Sequence, residues 1–142
     1  MDDHSDRLLT RQLLVRVLAF FADEPGKQVE QVSEFYREIG QRCPKYDLQH
    51  PLVELSDWIC KVPWTDDSPQ GVVPILEEID AVTTLMFLEK ELTAKFTSPD
   101  ALEHEPAWRV VRKLAAEAIR VGGFDKPTGP TDFIDLVLTV AD

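Results

Sequence analysis

Apolar residues recur along this chain at steps of three and four, in segment after segment, and proline or glycine stands between the segments. That spacing is the one an amphipathic helix presents to a core, and the punctuation is the one that starts and stops helices. The chain is therefore expected to fold from helices laid side by side.

The first segment predicts a helix over 7–22, with Leu9, Leu13, Val17 and Phe20 on one face and Leu14, Leu18 and Phe21 beside them. Only Arg16 interrupts the stretch from Leu13 to Phe21, so this helix should be enclosed on more than one side. Pro25-Gly26 ends it, and a second helix follows with Val29, Val32, Phe35, Tyr36 and Ile39 facing the core and Gly40 at its end. Residues 41–49 carry Pro44 and no period, which predicts a loop. Pro51, suited to a first turn, then opens a short helix with Leu52, Leu55, Trp58 and Ile59 on its apolar side. Residues 61–71, with two prolines, Trp64 and the acids Asp66 and Asp67, read as irregular.

One long helix is predicted over 74–96. Ile75, Ile79, Val82 and Met86 form one ridge and Leu85, Leu88, Leu92 and Phe96 the next. At about 1.5 Å per residue it would reach roughly 35 Å and cross the whole domain. Ser98-Pro99 stops it, a turn or one-turn helix runs to Glu105, and Pro106 opens a helix that turns Trp108, Val111, Ala115 and Ala118 one way before Gly122-Gly123. In the tail, Phe133, Leu136, Val137 and Val140 fit a helical stripe, although the β-branched content of 136–140 also suits a strand. A lone strand would have nothing to pair with, so helix is preferred. The expectation is an all-α, single-domain bundle spanning 1–142, built of five or six helices with one long central helix.

A chain of 142 residues can bury one continuous core without disulfides or metals. Its two cysteines, Cys43 and Cys60, lack the close paired spacing of a structural zinc site and read as free buried thiols. The first residues are acidic where a secretion signal would be basic, and no apolar run approaches the roughly 20 residues that span a bilayer, so cytoplasmic residence is expected. Net charge is −11, and residues 61–105 alone carry ten acidic and three basic side chains. Phosphate backbones and anionic lipid surfaces would repel such a chain, which argues against nucleic acid and membrane as partners. Basic proteins, small ligands and further copies of the chain remain.

Catalytic signals are sparse. Glu77, Glu78, Asp80, Glu89 and Glu91 lie on the 74–96 segment, but the acid that would complete a Glu-Glu-x-x-Glu metal motif is replaced by Ala81 or Val82. Glu30, Glu34 and Glu38 repeat every four residues with Arg37 and Arg42 nearby, as a surface charge ladder does. His4, His50 and His104 stand apart from one another and from any metal-binding spacing, and no glycine-rich loop is built to cradle phosphate. No cofactor is implied.

Two features point to binding instead. Trp58 and Trp64 flank Pro63 beside Asp66 and Asp67, and tryptophan is enriched at the energetic centres of interfaces. Arg109, Arg112, Lys113 and Arg120 form a basic stripe that could dock on the acidic 74–96 helix, within one chain or across a symmetric dimer, or lie exposed. The leading expectation is a non-enzymatic protein-binding module of inhibitor, immunity or adaptor type, using Trp58, Trp64, Asp66 and Asp67 on a partner with a basic surface. A helical metal-dependent enzyme or small-ligand binder, with Glu30, Glu34 and Glu78 as metal ligands, is the alternative. A structural homo-oligomer subunit, a homodimer for instance, is the third reading.

Overall fold

The computed structural model describes residues 3–42, 51–61, 71–124 and 133–141, and among them it shows eight helices and no strand. They are α1 (Asp3–Ala22), α2 (Pro25–Arg42), α3 (Pro51–Lys61), α4 (Val72–Met86), α5 (Lys90–Phe96), α6 (Pro99–His104), α7 (Pro106–Gly122) and α8 (Phe133–Ala141). The all-α class stands; the count of five or six does not, since α5 and α6 are separate short elements. None of the helices is long and apolar enough to cross a membrane.

The expected long helix is broken. Val82-Thr83-Thr84 is a β-branched run, and the Thr83 hydroxyl donates to the carbonyls of Ile79 (2.9 Å) and Asp80 (3.2 Å), a back-bond that loosens the ladder above it. The Phe87 amide makes the last bond, to Thr83, and at Glu89 the backbone is extended (φ −127°, ψ 154°). The break turns the chain around Trp108: the Phe87 ring lies 6.1 Å from the indole, and Trp108 Nε1 donates to the Phe96 carbonyl at 2.7 Å. Packing on an indole more than ten residues ahead outweighs local helical period. It also splits the second ridge, leaving Leu85 and Leu88 67% and 65% exposed while Leu92 and Phe96 are half-buried.

The element at the centre is α7, which packs against α1 on one side and α4 on the other. Trp108, Val111, Ala115 and Ala118 are all buried, as their spacing predicts, and the two alanines let neighbouring helices approach. Pro106 starts the helix, and Gly123, at φ 63°, ends it with its amide on Arg120 and Ile119 carbonyls. On α1, Leu14, Val17, Leu18, Phe20 and Phe21 are buried between α7 and α8. α8 closes the bundle against α1, α2 and α3, with Phe133 stacked on Phe20 (4.6 Å) and edge-on to Phe35 (6.1 Å). Phe133, Leu136 and Val137 are buried there, in accord with the helical stripe.

Pro25 opens α2 rather than merely ending α1, and Gly40 lies inside α2. Tyr36, expected in the core, is 53% exposed; burial of part of the ring still pushes its phenol upward. Gln28, to which no core role was given, is fully buried.

Candidate functional site

Trp58 lies on α3, one residue after exposed Asp57 and between the buried Leu55 and Ile59. It is half-buried, with its inner part against the core. α3 packs on α4, whose outward positions include the exposed Glu77 and Glu78. Trp64, Asp66 and Asp67 belong to the segment joining α3 to α4 and lie outside the described residues, as do Cys43, His50 and the loop predicted before Pro51.

The carboxylates of the metal reading are not assembled. Glu30 and Glu34 are exposed on α2 and Glu78 on α4, and among the described residues no group of three or more His, Cys, Asp or Glu side chains could hold a metal ion. Two of the buried polar groups are spent locally: Ser56 donates to the Leu52 carbonyl (2.8 Å) and Thr83 to those of Ile79 and Asp80. His104 is exposed beside Asp100 (3.8 Å) and Glu103 (3.5 Å) on α6.

The basic stripe divides. Arg112 turns inward, its Nη1 donating to Gln28 Oε1 (3.0 Å) and the Leu102 carbonyl (2.9 Å). Desolvation, with Arg109 one turn away, lowers its pKa below the usual guanidinium value. Arg120 pairs with Glu117 on its own helix, which holds the Glu117 carboxyl below, and the guanidinium above, its ordinary value. Arg109 and Lys113 are exposed, and neither forms an ion pair among the described residues. Docking of the stripe on the acidic helix within the chain is thus not what α7 does: Arg112 serves the interior instead.

Gln28 is the residue whose role the sequence reading missed. It is fully buried, and its Nε2 donates to the carbonyls of Phe20 (2.9 Å) and Phe21 (3.1 Å) at the end of α1. The amide that would have bonded Phe21 belongs to Pro25, which has no N–H, and the Glu24 amide turns to Asp23 Oδ1 instead. A signal was present: Gln28 continues the Val32, Phe35, Ile39 stripe, and a polar residue on an apolar stripe three places past a helix-ending proline invites a capping role.

Comparison with known protein families, with curated proteins and with solved structures finds no match to the chain.

Proposed function

We propose that the chain is a protein-binding module of inhibitor, immunity or adaptor type, which engages a partner with a basic surface through the α3–α4 side. The observation that carries this reading is Trp58, half-buried next to exposed Asp57 on a helix packed against the one bearing exposed Glu77 and Glu78. An anchored indole with its outer part at the surface supplies contact area at little entropic cost, and flanking carboxylates supply attraction and orientation. The connecting segment adds Trp64, Asp66 and Asp67 to the same stretch of chain. With a net charge of −11, encounter with a basic partner would be steered over long range.

The test is affinity capture from host lysate at low and high salt, with Trp58→Ala and the triple variant Trp64→Ala/Asp66→Asn/Asp67→Asn as controls. A partner retained at low salt, released at high salt and absent from both variants is the expected outcome. Capture that ignores salt or survives both variants would remove the α3–α4 side from consideration.

A further inference from the structure

α4 and α7 run antiparallel. Gly71, before α4, faces Val121 near the end of α7, where an added Cβ would stand 3.0 Å from Val121 Cγ1; Phe87, after α4, reaches Trp108 near the start of α7. Of the four exposed large apolar side chains among the described residues, three, Leu85 (67%), Leu88 (65%) and Val110 (44%), therefore lie at the same end of this helix pair. Val110 precedes Val121 by eleven residues, about three turns, which puts it on the flank of α7 that faces α4. Charges of opposite sign stand on the two sides: exposed Glu89 and Glu91 where α5 begins, and exposed Arg109 and Lys113 on α7.

Clustered exposed leucines of this kind mark interaction sites more often than isolated ones do. The charges restrict what can cover them. A uniformly basic partner would be repelled by Arg109 and Lys113, and a uniformly acidic one by Glu89 and Glu91. A second copy of the chain carries both signs, and a twofold axis running along the apolar strip sets the acids of one copy against the bases of the other.

We infer that this end of the α4–α7 pair is a self-association surface, closed by a second copy in a twofold dimer with Leu85, Leu88 and Val110 at its centre. This goes beyond the partner-binding reading and uses the opposite end of α4. A stable interface needs about 800 Å² from each subunit, roughly a tenth of the 8749 Å² the chain exposes, so side chains around the three apolar ones join it. With only three apolar side chains at its centre and exposed charge pairs around them, the dimer is weak, with a dissociation constant of about 10–100 μM.

Sedimentation velocity on the full chain, from about 1 to 300 μM, tests it. The wild type shifts from monomer to dimer across that range, whereas Leu85→Glu and, separately, Leu88→Glu stay monomeric with unchanged helical circular dichroism. Arg109→Glu/Lys113→Glu and Glu89→Lys/Glu91→Lys are each monomeric alone, since like charges then meet, and an equimolar mixture of the two dimerises again. A wild type that stays monomeric throughout, a Leu85→Glu variant that dimerises as the wild type does, or a mixture that fails to recover dimer overturns the proposal. Loss of captured partner in the Trp58→Ala variant would leave all three readouts unchanged.

Discussion

Replacing Gln28 by Ala removes one amide that serves three helices. Its Nε2 is the partner of the Phe21 carbonyl, for which Pro25 offers no N–H, and a second donor to the Phe20 carbonyl, which keeps a bond from Asp23 at 3.2 Å. Leaving one buried carbonyl without a donor costs about 1–3 kcal/mol, and losing a hydrogen bond to a charged group about 1.5–3 kcal/mol. Arg112 retains the Leu102 carbonyl and is only part-buried, so the lower end applies to it. Adding the void left by a fully buried side chain, the total loss is about 3–5 kcal/mol. That is a large share of a typical stability of about 5–15 kcal/mol and corresponds to roughly 10–17 °C in Tm for a chain of this size. Urea unfolding of Gln28→Ala, Arg112→Met and the double variant gives the cycle. Arg112→Met alone should cost less than Gln28→Ala, and the pair should couple by about 1 kcal/mol. A Gln28→Ala variant within about 0.5 kcal/mol of wild type, or strict additivity, would refute the idea that this amide caps α1 and links it to α7.

Trp108→Phe keeps most of the ring contact with Phe21 and Phe87 but orphans the Phe96 carbonyl, so it should cost about 2 kcal/mol and raise amide exchange in α5 ahead of the rest of the fold. Two glycine substitutions should have opposite signs. Gly26→Ala, in α2 with nothing near its added Cβ, should stabilise by about 0.5–1 kcal/mol, whereas Gly71→Ala, at φ 97° with Val121 close by, should destabilise by about 1–2 kcal/mol; thermal unfolding compares them directly. The Glu117 carboxyl is held below its usual value by Arg120, so its contribution is complete above the unfolded carboxylate range and fades as pH falls through the lower folded value. Glu117→Gln should therefore narrow the gap to wild type as pH drops from about 5 to about 2, and a gap that widens would contradict the pairing.

α7 was legible because everything that defines it is local: a proline to start, a glycine to stop, and Trp108, Val111, Ala115 and Ala118 at helical spacing between. The same rules failed over 74–96. After Pro74, in the first turn of α4, that stretch holds no proline, and the break at Phe87 joins the Thr83 back-bond to packing on Trp108, whose position relative to the segment only the fold reveals. Tyr36 and Gln28 show the limit of stripe-reading: the aromatic expected in the core is exposed, and an amide to which no role was given is fully buried because the end of α1 needs a donor. Of the proposed binding residues, Trp58 is half-buried on α3, and Trp64, Asp66 and Asp67 lie beyond the described residues.

The two surfaces assigned to α4 should respond to salt in opposite ways. Two copies of a 142-residue chain, each carrying −11, meet with their centres roughly 35 Å apart, the separation expected from a domain of this size. In water, with a screening length of about 30 Å at 0.01 M salt, the net charges then repel by about 4 kcal/mol; at 0.15 M the length falls to about 8 Å and the repulsion to a few tenths. The exposed pairs across the dimer, each worth about 0.2–1 kcal/mol, lose less than that over the same interval. Raising salt from about 0.01 to 0.15 M should consequently tighten self-association by at least about tenfold, while capture of a basic partner through Trp58 and its acids weakens. Sedimentation of the wild type at both salts measures the first and partner release the second. A dimer that loosens as salt rises through this window would mean that net repulsion is not the term opposing it, and the charge balance assigned to the Leu85 end of the helix pair would be wrong.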